Sequence, residues 1–147
     1  MIDETHTLNI SCPVNEVFDF VADPSNETAW HFDVKEVIRS NDGPYELGET
    51  LQWVVKFGGS KTYSIEVTAF EPNRLIELTT HQGPVLPILT HTFQQDGDST
   101  RYTRRVRFET KGLLRVLAPV MTRLNNPNTK WAENLKELLE SGTRIQP

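Results

Sequence analysis

The feature that most limits the fold of this chain is a series of turn signals that divides residues 34–110 into short segments. The signals are the stretches NDGP at 41–44, GG at 58–59, EPN at 71–73, QGP at 82–84 and DGD at 96–98. Between them apolar and polar residues alternate, which is typical of strands that bury one face. We therefore predict an antiparallel meander of six strands, near residues 34–40, 49–57, 60–70, 74–81, 86–95 and 100–110.

One strand and two short helices are predicted before the meander. Residues 2–10 alternate in the same way as the later strands. Apolar residues then recur at the i, i+3, i+4, i+7 spacing of an amphipathic helix: Val14, Val17, Phe18 and Val21. Pro13 suits the first turn of this helix, and in the stretch ADPSNETAWH Asp23 can cap a second helix that begins at Pro24.

The chain returns to helical spacing after Gly112. The predicted apolar stripe comprises Leu113, Leu117, Val120, Leu124, Asn128, Trp131, Leu135 and Leu138. Its phase survives Pro119 and Pro127, which favours one long helix with two kinks. The alternative is a break at Asn126, which can cap a new helix starting at Pro127.

These elements predict an α+β architecture in one domain over residues 1–147. A curved seven-stranded antiparallel sheet has one concave apolar face, and the long C-terminal helix must cover it. A single helix is too narrow to fill such a face, so we expect a cavity between helix and sheet. Concave, mostly apolar sites of this kind are typical of small-molecule pockets.

The composition limits the partners and the compartment. The net charge of −5 argues against a nucleic-acid partner, because nucleic-acid-binding domains usually carry a basic patch. No apolar run is long enough for a transmembrane helix, and the N-terminus lacks the pattern of a signal peptide. Cys12 is the single cysteine, which excludes an internal disulfide and fits a cytoplasmic location. We expect a monomer or a homodimer.

Four stretches carry a resemblance to a known family: CPVNEVFDFVADPSNETAWH, VTAFEPNRLIEL, THTFQQDGDSTRYTRRVRFETKGLLRVLAPVM and the closing amphipathic helix. Over residues 5–141 the chain resembles the polyketide cyclase/dehydrase-like branch of the START-like (SRPBCC) superfamily. The resemblance implies a helix-grip fold, in which a curved sheet surrounds a long C-terminal helix and a deep hydrophobic cavity. It also implies binding or transformation of lipids, polyketides or other apolar molecules.

The resemblance assigns few residues, because the family has no single catalytic motif. Trp30 matches an aromatic position that looks mainly structural in the family, and Arg104 matches a polar position often seen in the last strand. The chain departs from the pattern at the second kink, in NNPN, and at the polar residue Asn128 on the buried stripe. Asn128 either satisfies a carbonyl freed by the kink or points into the cavity.

The last predicted strand places an arginine among inward-facing residues. In TRYTRRVRFET, Arg104 shares a face with Tyr102, Val106 and Phe108. If Gly97-Asp98 forms the preceding turn, His91 faces Arg104; if Asp96-Gly97 forms it, His91 faces Tyr102. Either register brings His91, Tyr102 and Arg104 together on the inner face.

This trio suggests two roles. A buried arginine needs a partner, because it does not lose its proton, and its charge favours neutral histidine nearby. The group can then orient a carbonyl, carboxylate or phenol in the cavity. Alternatively, Arg104 lies at the cavity mouth, pairs with an acidic side chain, or extends its head to water along an apolar stem.

The remaining candidates follow from burial. The four histidines, His6, His31, His81 and His91, lack the spacing of a metal site, so we expect neither a metal nor a cofactor. Large aromatic side chains on the predicted inner faces serve as core, as pocket lining, or as both. The candidate ligand-binding residues are Trp53, Phe57, Tyr63, His91, Phe93, Tyr102, Arg104, Val120, Leu124, Asn128 and Trp131.

Three functions compete on this basis. The first is binding or carrying of a hydrophobic small molecule such as a lipid, a polyketide or an aromatic compound. The second is an enzyme of the cyclase or dehydratase type, in which Arg104 stabilises an enolate, His91 moves a proton and Tyr102 orients the substrate. The third is a protein-interaction module, which a large exposed apolar patch would support.

Overall fold

The computed structural model describes residues 2–31, 34–56, 60–83, 86–108 and 127–141, with the backbone alone for 127–129. Seven strands form one antiparallel sheet in the order β1-β7-β6-β5-β4-β3-β2. The strands are β1 (Ile2–Ile10), β2 (Val34–Ile38), β3 (Thr50–Lys56), β4 (Ser60–Glu71), β5 (Leu75–Gln82), β6 (Ile88–Asp96) and β7 (Ser99–Phe108). The predicted meander is confirmed from β2 to β7, and the chain's first strand pairs with its last.

The described residues include three helices, two between β1 and β2 and one after β7. The helices are α1 (Val14–Val21), α2 (Glu27–Trp30) and α3 (Pro127–Glu140), with a 3-10 turn at Pro24–Asn26 between α1 and α2. Asp23 caps this turn by accepting a hydrogen bond from the Ser25 N–H at 3.0 Å, as the sequence predicts. The α+β fold with two short helices after β1 and a C-terminal helix is therefore confirmed.

Helix α3 packs against β1, β7 and α2. It buries Ala132, Leu135 and Leu139. The Asn134 side-chain amide donates to the Trp30 carbonyl at 2.9 Å, which ties α3 to the end of α2. The predicted kink at Pro119 and the residues immediately before Pro127 lie outside the described residues. No helix in the described ranges is long and apolar enough to cross a membrane.

The β6–β7 hairpin settles which of the two registers the chain adopts. Asp96 pairs with Ser99, and Gly97 has a φ of +62°, a left-handed conformation that glycine adopts without strain. His91 therefore lies opposite Arg104, and the register that would set it opposite Tyr102 is wrong. On the other side of β7, His6 of β1 is the direct partner of Arg104.

Two strand pairs contain register shifts that help the sheet to curve. One lies between Val34 and Glu36 on β2, and two more lie in the β4–β5 pair, at Ser64/Ile65 and at Val67/Ala69. Such irregularities bend a strand and increase its twist. The curvature turns the inner face of β4 to β7 toward the helices.

The loop that joins β2 and β3 is held by a half-buried ion pair. The Arg39 guanidinium binds both carboxylate oxygens of Glu49, at 2.6 and 2.7 Å, and also donates to the carbonyls of Gly43 and Pro44. The same loop hydrogen-bonds from the Tyr45 N–H to the Ala22 carbonyl at 2.8 Å. The ion pair therefore fixes the position of Tyr45.

We expect Glu49→Ala to lower the free energy of unfolding by about 2 kcal/mol, because it leaves the Arg39 guanidinium half-buried without its anion. Urea unfolding followed by tryptophan fluorescence measures the change. Glu71→Ala is the control, since it breaks a bidentate pair with Arg74 that is largely exposed, and it should leave the free energy of unfolding nearly unchanged. Equal losses in the two variants would contradict the prediction.

Candidate functional site

Six polar side chains form a continuous group inside the apolar core, which we call the polar cluster. Its members are at most 2% exposed: Glu27, His31, Tyr45, His91, Tyr102 and Arg104. They come from α2 and the residue after it, the β2–β3 loop, β6 and β7. Buried polar groups in proteins are nearly always hydrogen-bonded, so the partners of each member define the chemistry of the cluster.

Helix α2 contributes a glutamate–histidine pair. Glu27 and His31 are four residues apart, so both side chains lie on the same side of this single turn. The Nδ1 atom of His31 contacts the Oε2 atom of Glu27. The other carboxylate oxygen accepts a hydrogen bond from the Tyr45 hydroxyl at 2.9 Å. Trp30 stacks on the His31 ring with 3.8 Å between centroids.

Arg104 reaches this pair from the sheet. Its Nη2 atom lies 3.1 Å from His31 Nε2, and because a guanidinium only donates, Nε2 must be the acceptor. His31 therefore carries its proton on Nδ1 and donates it toward Glu27. A chain of contacts thus runs from Tyr45 through Glu27 and His31 to Arg104. The indole of Trp131 on α3 covers the guanidinium, 4.4 Å from its Cζ atom.

His91 and Tyr102 form the second part of the cluster. Their Nδ1 and hydroxyl oxygen atoms are 2.7 Å apart, although the residues are diagonal rather than direct partners across β6 and β7. Across the inner face, His6, Arg104 and His91 occupy one row on β1, β7 and β6. A positive charge therefore lies between two imidazole rings on adjacent strands.

Burial controls the protonation of the cluster. It raises the pKa of Glu27 to about 8, although the Tyr45 hydrogen bond and the Arg104 charge act in the opposite direction. Burial, together with the Arg104 charge, holds the pKa values of His31 and His91 well below their usual value. It also raises the pKa values of Tyr45 and Tyr102. The cluster thus combines one cation with neutral imidazoles and intact phenols, an arrangement that can stabilise negative charge.

The structure brings together four of the sequence-predicted residues: His91, Tyr102, Arg104 and Trp131. Trp53 lies beside them, with its ring 5.5 Å from His31, and Phe93 packs against Tyr102 at 5.6 Å. Tyr63 is buried one strand further along, opposite Trp53. Phe57, Val120 and Leu124 lie outside the described residues, as does the side chain of Asn128.

The alternatives left open for Arg104 are narrowed by its burial. At 2% exposure its head neither reaches water nor lies at an open mouth. Among the described residues, Arg104 is linked to the acidic side chain of Glu27 through His31, which lies between them. Trp30, expected to be structural from the resemblance, is fully buried and supports His31 through stacking.

Sequence reasoning missed Glu27 and Tyr45 and gave His31 no role. The four-residue spacing of Glu27 and His31 in NETAWH was an available signal, because it puts both on one side of a helical turn. No comparable signal marks Tyr45, which lies in a loop. Only the folded chain brings that loop against α1 and α2.

Comparisons with known proteins agree with this fold. A family model described as polyketide cyclase/dehydrase and lipid transport matches residues 1–140. A comparison with curated proteins finds no significant match.

Solved structures of the same shape have low sequence identity to this chain. A START superfamily protein from Mycobacterium smegmatis is 19% identical with a TM-score of 0.71, and the match covers 95% of this chain and 97% of that one. The ZhuI aromatase/cyclase from Streptomyces is 16% identical with a TM-score of 0.72, covering 96% and 98%. The protein TTHA0849 from Thermus thermophilus is 15% identical with a TM-score of 0.77, covering 97% and 99%. At these identities the likeness establishes the fold.

Proposed function

The chain belongs to the polyketide cyclase/dehydrase and lipid transport family, and from this premise we propose that it binds and carries a hydrophobic small molecule between its sheet and α3. The ligand is a lipid, a polyketide or an aromatic compound, and residues 1–147 act as one ligand-binding domain. The proposal extends to the undescribed positions Phe57, Val120, Leu124 and Asn128 as further lining. It also includes a cytoplasmic location and a monomeric or homodimeric state.

The observation that carries the proposal is the polar cluster itself. A buried charge and its partners are rarely needed for stability, since well-packed apolar residues often serve a core equally well. Groups whose pKa values are strongly displaced tend to occur at functional sites. Here such groups lie on the concave side of the sheet, where α3 packs, and are enclosed by Trp30, Trp53, Phe93 and Trp131. An apolar ligand with one polar end suits this combination.

A cyclase or dehydratase activity is the second candidate. The hydrogen bond between His91 and Tyr102, beside Arg104, favours it. In this mechanism Arg104 stabilises an enolate, neutral His91 transfers a proton through Nε2, and Tyr102 orients His91 or the substrate. The protein-interaction alternative has less support, because the exposed large apolar residues of the described chain, Ile38, Leu47 and Leu86, are few.

Native mass spectrometry of the purified protein against lipids and aromatic polyketides tests the proposal. We expect a retained ligand, and a loss of retention of roughly tenfold or more in Arg104→Gln, since a charged hydrogen bond contributes about 1.5–3 kcal/mol. Arg105→Gln is the matched control. Arg105 follows Arg104 directly on β7 but lies on the exposed face of the strand, where it binds Asp3 at 2.7 Å.

The same experiment separates the two candidates. A carrier returns its ligand with unchanged mass, whereas a dehydratase releases a product that has lost water. If no lipid or polyketide is retained at any concentration, the binding proposal is wrong. If Arg104→Gln and Arg105→Gln retain ligand equally well, the proposed role of the polar cluster is wrong.

A further inference from the structure

The buried N–H groups without an acceptor among the described residues include two on neighbouring rings at the polar cluster, Nε2 of His91 and Nε1 of Trp30. We propose that the ligand presents an acceptor oxygen without a proton, a carboxylate or a carbonyl, and that these two N–H groups bind it. This inference rests on the proposed function and names the chemical class of the ligand's polar end.

The proton on His91 Nε2 follows from its partner. Tyr102 and His91 Nδ1 share one hydrogen bond of 2.7 Å. If His91 Nδ1 donated this hydrogen bond, the hydroxyl proton of Tyr102 and the lone pair of Nε2 would both lack partners in the described part of the chain. If the Tyr102 hydroxyl donates the hydrogen bond, only the proton on Nε2 lacks a partner there. Each buried unsatisfied group costs about 1–3 kcal/mol, so the second arrangement is favoured and Nε2 carries a proton.

Trp30 supplies a second donor close by. Its side chain is fully buried, and its ring centroid lies 5.7 Å from that of His91. An indole N–H can only donate. The two unsatisfied atoms are therefore both donors on neighbouring rings, and a group that accepts hydrogen bonds is the complement to both.

The surrounding side chains cannot serve as that acceptor. The two oxygens of Glu27 are engaged by His31 and Tyr45. Arg104, directly opposite His91 across the strands, adds positive charge. A ligand group that only donates, such as an ammonium, would meet donors and a cation. Both N–H groups are closed to solvent, so neither has a hydrogen bond to water that a ligand would have to break. An acceptor oxygen that reaches them therefore gains the hydrogen bonds without that cost.

A matched series of naphthalene compounds tests the inference by titration calorimetry on the wild-type protein. The series is naphthoate, acetylnaphthalene, naphthalene and naphthylmethylammonium, which share the apolar body and differ in the polar end. We expect naphthoate or acetylnaphthalene to bind roughly 10–100-fold more tightly than naphthalene, and the ammonium most weakly. Tighter binding of naphthoate would indicate a carboxylate ligand, and tighter binding of acetylnaphthalene would indicate a ligand with a neutral carbonyl.

Variants locate the effect. The double variant His91→Phe/Tyr102→Phe removes the Nε2–H donor of His91. It also removes the Tyr102 hydroxyl, which would otherwise lose its partner. The variant Trp30→Phe removes the indole N–H but keeps an aromatic ring against His31. Each should reduce the preference for the acceptor probe over naphthalene by about tenfold. His81→Phe is the control, because His81 is exposed on the sheet and bound to Glu66.

A spectroscopic measurement keeps the test independent of the variants. Histidine nitrogen–proton correlation spectra of the wild type should show His91 protonated at Nε2, and the Nε2 proton should move downfield when the acceptor probe binds. A proton on Nδ1 instead would overturn the inference, as would equal binding of naphthoate, acetylnaphthalene and naphthalene or tighter binding of the ammonium. Those results leave the proposed carrier function standing, whereas failure of all four probes to bind contradicts both proposals.

Discussion

Glu27→Ala is expected to lower the free energy of unfolding by about 2–5 kcal/mol, because it leaves buried hydrogen-bond donors without an acceptor at about 1–3 kcal/mol each. The substitution removes the acceptor of two donors at once, the Tyr45 hydroxyl and the Nδ1–H of His31. Both are closed to water, so neither can recover its hydrogen bond from solvent. Urea unfolding monitored by tryptophan fluorescence measures the loss.

The matched control is the other glutamate–histidine pair of the described chain. Glu66 and His81 are 2.7 Å apart, but both are more than a third exposed. Glu66→Ala should therefore change the free energy of unfolding by less than about 1 kcal/mol. A loss in Glu27→Ala no larger than that in Glu66→Ala would refute the assignment.

Stability should pass through a maximum near pH 6.5, because the buried acid and the buried imidazoles act in opposite directions. Glu27 has a raised pKa of about 8, against 4.5 for an ordinary glutamate, so the folded state holds a proton that the unfolded chain releases. Stability therefore falls as pH rises from 6.5 to 8, by about 1.4 kcal/mol per pH unit. Equilibrium unfolding at closely spaced pH values measures this limb.

The acid limb has the opposite sign. His31 and His91 have lowered pKa values in the fold, so the unfolded chain binds protons that the folded chain excludes. Below pH 6.5 the two histidines together lower the stability as the pH falls, and Glu27 offsets part of this loss down to pH 4.5. The net result is a loss of stability toward acid pH.

Glu27→Gln separates the two limbs, because it keeps the shape and removes the titration. Measured relative to its own stability at pH 6.5, the variant should show a flat profile up to pH 8 and a steeper acid limb. Retention of the wild-type decline between pH 6.5 and 8 would show that another group is responsible for it.

The inward-facing side of β6 and β7 is the part of the candidate site that sequence predicts well, whereas the register of the two strands stayed open between two turns. Strand side chains alternate with a period of two, so the apolar neighbours of Arg104 on β7 are enough to place it inside. Gly97 adopts the left-handed conformation of a tight turn, which then sets His91 opposite Arg104. Local rules of this kind need no knowledge of the rest of the fold.

The helical and loop side of the site could not be predicted in the same way. Tyr45 reaches Glu27 only because the Arg39–Glu49 pair folds its loop back onto α1 and α2. His31 follows the last residue of a one-turn helix, where its direction depends on Trp30 and on α3 above it. These are tertiary contacts between segments far apart in sequence, and no periodicity encodes them.

The pairing of β1 with β7 has a consequence for how the chain is made. Ile2 must meet Phe108, and His6 must meet Arg104, so β1 leaves the ribosome long before β7, the strand with which it pairs. Until then β1 is an unpaired edge, open to mispairing with other chains. Contacts of such sequence separation also slow folding, because a long loop must close before they form. Assembly of the inner row of His6, Arg104 and His91 is thus expected to be a late event, completed only when β1 pairs with β7.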